Sequence, residues 1–318
     1  MSEDKRIKAS KARLAYLDNR EKLLQQKVDK IALKLFDKIN EDFLNKLELS
    51  DGKVLNNAKN IRATTALNSI YANFNKNYNI PVIKSFVGDL NGIGELNEKY
   101  FNEVVEKPTT ISRYKAEKVV NEQLGINKKG QVIPGGFVDK FANSKEVIDN
   151  LKKKTLQGIT KGKGFQELRQ ELKASIIGVD GKPMSGQLHQ YYRNNAYDTL
   201  TKVDRLYSDT MAKDLKLKYF YWSGGIINTT RKLCKTLNGF IINATDFKKL
   251  KFDNLQIIYR AGVPDGSHST WHPLTDLGGY ACRHVKDYIS TKLAMKYSKN
   301  IFNLNKLLLR KIDLEDAA

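Results

Sequence analysis

The sequence predicts a predominantly α-helical α+β protein, with long N-terminal helices followed by a small C-terminal α+β domain. Three observations lead there: a stretch from Ile7 to Leu49 without Gly or Pro, a second long helical run from Leu188 to Leu217, and the aromatic, strand-like segment Lys218 to Gly225 beyond it. Long apolar-periodic runs free of breakers read as helices, and clustered aromatic and β-branched residues bounded by Gly read as strands.

In the first run Val28, Ile31, Leu35, Ile39, Phe43 and Leu47 recur at three- and four-residue steps, giving one apolar stripe that packs on its own domain or on a neighbouring copy. Ser50-Asp51-Gly52 ends it, residues 53–78 read as a second helix, and Pro81 starts a break. Gly88 and Gly92 to Gly94 mark turns before a helix through Tyr100 and Val104. Pro108-Thr109-Thr110 starts the next helix, which ends near Gly125, and Asn127, Gly130 and Gly135-Gly136 outline a short hairpin or tight loop. Helices follow at Ser144 to Leu156 and through Phe165, Leu168, Leu172 and Ile176, with the loop 178–186 as a hinge. Tyr191, Tyr192, Tyr197 and Tyr207 on the next helix read as packing residues, with base stacking as the alternative. After Tyr219, Ile226-Ile227 continues the strand tendency, residues 239–244 form a further strand, and Ser290 to Leu309 is a last helix before an acidic end. The expected segments are a helical arm over 1–50, a helical domain over 51–217, an α+β core over 218–290, and a helix with tail over 291–318.

The 318 residues carry 55 Lys and Arg against 35 Asp and Glu, a net charge of +20. It is spread evenly, +6 over 1–120, +7 over 121–220 and +7 over 221–318, which suits contact with a polyanion rather than one compact base-reading module. Lys outnumbers Arg 43 to 12; lysine neutralises phosphates but lacks the planar fork that reads bases in bidentate fashion. The charged N-terminus carries no signal peptide and no apolar run reaches membrane-spanning length, so a chain made in a cytoplasm with no membrane partner is expected.

Reactive side chains concentrate near the C-terminus: Cys234, His268, His272, Cys282 and His284. Cys282 and His284 alternate, as two metal ligands on one side of a strand or loop would, with Cys234 and His272 completing a tetrahedral zinc set. A Cys234–Cys282 disulfide is a second reading, and two buried reduced thiols are the default. No third group orients a Cys/His pair for nucleophilic catalysis. Gly162-Lys163-Gly164 and the loop at Gly178 lack the full phosphate-loop pattern. No cofactor and no catalytic residue are expected.

One ordered set of residues carries a resemblance. Tyr219 to Gly225, then Thr230-Arg231 to Cys234, Asn238-Gly239-Phe240, Trp271, and finally Gly278-Gly279-Tyr280-Ala281-Cys282-Arg283-His284 resembles the C-terminal core of the Mu F-like minor head (head morphogenesis) proteins of tailed phages. The similarity extends in layout to the helices over 145–217. What the resemblance implies is a non-enzymatic virion protein assembled in a bacterial host cytoplasm and placed in the capsid interior or at the portal vertex. Its implied partners are the portal protein, the major capsid protein and packaged double-stranded DNA, with self-association possible through the N-terminal helix. Many relatives carry a Cys-x-x-Cys at the first cysteine and a His-Pro-x-Cys-Arg-Cys at the second, whereas this chain has one cysteine at each place. The resemblance therefore assigns Arg231, Cys234, Asn238, Gly239, Trp271, Gly278, Gly279, Cys282, Arg283 and His284 to a structural motif, its turn pinned by Arg231 or Arg283. Two readings from other classes stand beside it: a nucleic-acid-processing or modifying enzyme using Cys234, Cys282 and His284, and a cytoplasmic helical DNA-binding protein.

Overall fold

The computed structural model describes residues 3–143, 145–179, 186–228, 230, 232–249, 274, 277 and 282–303. It is predominantly helical with a small antiparallel sheet late in the chain, the expected fold class. Helix α1 runs Glu3–Asp42, and Val28, Ile31, Leu35, Ile39, Phe43 and Leu47 of the predicted stripe are all buried. A 3-10 turn Leu44–Lys46 follows.

Two expectations for the next stretch are corrected. Residues 49–54 form a hairpin, β1 (Leu49–Ser50) against β2 (Lys53–Val54), before the short helices α2 (Ala58–Ala63) and α3 (Ala66–Phe74). Asp51 and Gly52 both take positive φ, 48° and 73°, so the pair is a two-residue hairpin turn as well as the end of a helical region. Pro81 breaks nothing. A π turn Asn75–Asn79 leads directly into α4 (Ile80–Val105), and Pro81 sits in the first turn after it, where the hydrogen-bond ladder is already offset. Gly88, Gly92 and Gly94 lie inside α4 rather than at turns. A Cβ on Gly94 would come within 2.9 Å of the Tyr207 ring, and one on Gly92 would strike Tyr16, so these two glycines are close-packing positions.

Helix α5 is Thr110–Leu124, the loop after it closes through an Ile126–Val132 bridge, and α6 (Phe137–Asn143), α7 (Lys145–Thr160), α8 (Phe165–Ile176) and α9 (Gln187–Asp214) follow. Tyr192, Tyr197 and Tyr207 of α9 are buried, as packing residues are. The sheet has the order β4 (Ile241–Asn243), β3 (Tyr219–Ser223), β5 (Val285–Ile289), both pairs antiparallel. Short helices α10 (Lys232–Leu237) and α11 (Ala244–Phe247) flank β4. Ile226 and Ile227 are exposed and outside any strand. The last helix, α12, covers only Thr291–Lys296, followed by a 3-10 turn Ser298–Asn300. The predicted end of that helix and the acidic end lie outside the described residues.

The chain divides into two compact units. One comprises 1–18, 90–122 and 197–318; the other comprises 19–89 and 123–196. The four consecutive segments expected from sequence do not coincide with these units, because α1, α4 and α9 each supply a segment to both.

In the first unit β3 alternates. Phe220 and Trp222 face one way onto Phe247 and Tyr288 with ring centroids 5.4–5.6 Å apart, while Tyr219 and Tyr221 pack with Ile241, Ile289, Leu293 and Ala294. A buried charge network ties the start of α1 to this sheet. Arg13 makes a bidentate contact to Asp204 (2.7 and 3.1 Å) and reaches Asp287 at 3.3 Å and Ser208 at 2.8 Å. Asn97 donates to Asp204 at 2.9 Å, and Ser10 and Ser223 both donate to Asp287 at 2.6 Å. Lys286, also fully buried, pairs with Asp209, which accepts a second bond from the Tyr288 hydroxyl at 2.7 Å.

The second unit holds its own polar cluster. Asn79 accepts from the Tyr192 hydroxyl at 2.8 Å and donates to Asn75 at 2.7 Å, while Arg169 donates to Asn40 at 2.8 Å.

Candidate functional site

The motif residues converge on one corner of the three-stranded sheet. Helix α10 delivers Cys234 and ends in an Asn238-Gly239 turn. The Asn238 N–H returns to the Cys234 carbonyl at 3.1 Å, and Gly239, at φ 86°, donates to the Trp222 carbonyl at 2.9 Å, which aims the chain into β4. That conformation is what makes glycine the fitting residue there. Cys282, Arg283 and His284 form the extended lead-in to β5. There Cys282 and His284 are buried and Arg283 points outward, setting its guanidinium 4.5 Å from the Tyr197 ring and 3.3 Å from Asp18.

The Sγ atoms of Cys234 and Cys282 stand 3.7 Å apart, and Cys282 Sγ is 3.9 Å from Nδ1 of His284. The three side chains present ligand atoms that all lie within 4.8 Å of one another, and all three residues are buried. A disulfide brings sulfurs to about 2.05 Å, so the cysteines here are thiols in contact rather than bonded. Cys234, Cys282 and His284 of the candidate set meet here although Cys234 lies 48 residues before Cys282 in the chain.

The backbone around the cluster is held by Arg205 of α9, whose Nη2 donates to the carbonyls of Cys282 at 2.6 Å and His284 at 3.0 Å. Of the two arginines expected to pin the turn, Arg283 contacts Tyr197 and Asp18, and Arg231 lies outside the described residues. A Cβ on Gly224 would come within 2.6 Å of the His284 ring, so this glycine is where backbone and imidazole meet, whereas Gly225 has open space. Nε2 of His284 is buried with no hydrogen-bond partner among the described residues.

The Cys282 thiol is held well below its ordinary range, first by the hydrogen bond from Cys234, then against the opposing effect of burial by the Arg205 charge and by His284. Two soft sulfur donors and an imidazole in a buried pocket make a ligand set for a thiophilic cation.

His268, Trp271, His272, Gly278 and Gly279 also lie outside the described residues. Among the described residues no helix is long and apolar enough to cross a membrane. Comparison of the chain with protein-family models, with curated proteins and with solved structures finds no match.

Proposed function

We propose that the protein is a minor head component of a tailed bacteriophage, non-enzymatic, docking at the portal or the inner capsid and touching packaged double-stranded DNA without reading its sequence. The observation that carries this reading is the ordered set from Tyr219 to His284, which resembles the core of the Mu F-like minor head proteins. The reading rests on those residues rather than on a family match.

The site chemistry supports it. Cys234, Cys282 and His284 point inward and are at most 3% exposed, a placement that suits a structural motif better than a reaction with a macromolecular substrate. Charge supports it as well. A groove of about 470 Å³ in the first unit is rimmed by the exposed side chains of Lys213, Lys216, Lys218 and Lys248, a surface for phosphates rather than for base edges.

Mass spectrometry of purified particles from the phage that encodes the chain tests the proposal. The protein should be recovered as a low-copy component, and particles that are infectious and contain none of it would overturn the reading.

A further inference from the structure

We propose that Cys234, Cys282 and His284 form a binding site for a zinc-class, thiophilic divalent cation, held through two thiolates and one imidazole with a fourth coordination position left for another donor. The inference stands on the geometry of the cluster and is independent of any role in a phage head.

The sulfur spacing carries it. Two thiolates at about 2.3 Å from a tetrahedral zinc lie about 3.8 Å apart, and the two Sγ atoms here are 3.7 Å apart. The imidazole stands at nearly the same separation from one sulfur, with Nδ1 3.9 Å from Cys282 Sγ, and all three donor atoms lie within 4.8 Å of one another, so a small inward shift of the imidazole relative to Cys234 completes one face of a tetrahedron. The scaffold is built rather than incidental. Arg205 fixes the carbonyls on both sides of Arg283, Gly224 leaves room for the ring of His284, and the Asn238-Gly239 turn fixes the end of the helix that carries Cys234.

Charge balance agrees. Two thiolates and one divalent cation sum to zero, so the loaded centre adds no net charge beside the buried Arg205 guanidinium. Nε2 of His284, buried without a partner among the described residues, is the kind of orphan a metal centre resolves, either as the ligand atom or as the donor to a bound water. Thiolate and imidazole donors together favour zinc over magnesium or calcium, which take oxygen ligands.

The test uses the full chain purified under reducing conditions. Elemental analysis should find on the order of one zinc per chain, and replacement with cobalt should give a thiolate-to-cobalt charge-transfer absorption in the near ultraviolet. Cys234→Ser, Cys282→Ser and His284→Ala should each weaken cobalt binding at least tenfold. Gly224→Ala should also weaken it, by displacing the imidazole, although it changes no ligand. Folded, reduced protein that retains neither metal would overturn the proposal. So would a Cys234–Cys282 disulfide in the intact mass, or metal binding that persists unchanged in both cysteine variants. Should the variants fail to fold, the wild-type cobalt spectrum still decides, because bound cobalt without the charge-transfer band would exclude the thiolates.

Discussion

Arg13 is a buried cation that joins carboxylates from two elements of the first unit. Its guanidinium is 1% exposed and faces two carboxylates, Asp204 and Asp287, each also 1% exposed. Removing one member of a buried ionic network leaves its partners charged and dry, at a cost of about 3–5 kcal/mol, so Arg13→Met should lower the urea midpoint by that equivalent or abolish folding. Replacement of an exposed charge such as Lys38, paired with Glu41 on the same helix face, should leave the midpoint almost unchanged. Lys286 gives a pH signature. Burial outweighs the attraction of Asp209 and lowers its pKa to about 8, below the ordinary value of 10.5. Between those values the unfolded chain binds the extra proton, so the contribution of this group to stability rises as pH climbs from about 8 towards 10.5. Tyr100, Tyr207 and Tyr288, whose pKa values burial raises, work the other way once pH passes 10, because only the unfolded chain then ionises them. Urea midpoints of wild type and Lys286→Met at about pH 7.5 and about pH 9.5, on either side of the folded-state value, check this. Wild type should gain relative to the variant at the higher pH, and a constant difference would contradict the assignment. None of this was legible in the sequence. Arg13 lies outside the apolar stripe read for its helix, and its partners lie 191 and 274 residues away.

Helices were legible where apolar residues recur at helical spacing, as in α1 and α8, and where start and stop residues frame the run, as in α5. Strand β5 was not, because Val285 to Ile289 carries Lys286 and Asp287 at its centre and both are buried by counter-charges from elsewhere in the chain. Helix α4 was misread for a related reason: a glycine that permits close packing and a glycine that makes a turn look identical in sequence. The structure separates them. A Cβ at Gly88 meets nothing within 4 Å, whereas at Gly94 it meets the Tyr207 ring. Gly88→Ala should therefore be neutral or stabilising by up to about 1 kcal/mol through helix propensity. Gly94→Ala should destabilise by about 1–3 kcal/mol through overpacking. Thermal unfolding of the two variants side by side checks the pair, and equal behaviour would show that α4 does not pack through Gly94. Within the candidate cluster, Cys234, Cys282 and His284 were legible as candidate ligands, but the grip of Arg205 depends on how α9 packs, which no local spacing encodes.

At the scale of the molecule, the even spread of a +20 charge is the property that sequence gives directly. The division into units is not, since each unit gathers segments from distant parts of the chain. A sequence-blind DNA surface should show weak, steeply salt-dependent binding, indifferent to base composition. Exchanging Lys213, Lys216, Lys218 and Lys248 for Ala should lower affinity uniformly across DNA sequences and reduce the slope of log K against log salt by up to about 0.9 for each phosphate that is no longer neutralised. Tight, sequence-selective binding at physiological salt would point instead to a DNA-reading protein. The most direct measurement of the central claim is a cryo-EM reconstruction of the portal vertex in DNA-filled particles of the encoding phage. Density fitted by these two units is expected at the portal or the inner capsid wall, with the lysine-rimmed groove towards the packaged DNA. A vertex and capsid wall fully explained by other proteins, with no density for this chain, would contradict it.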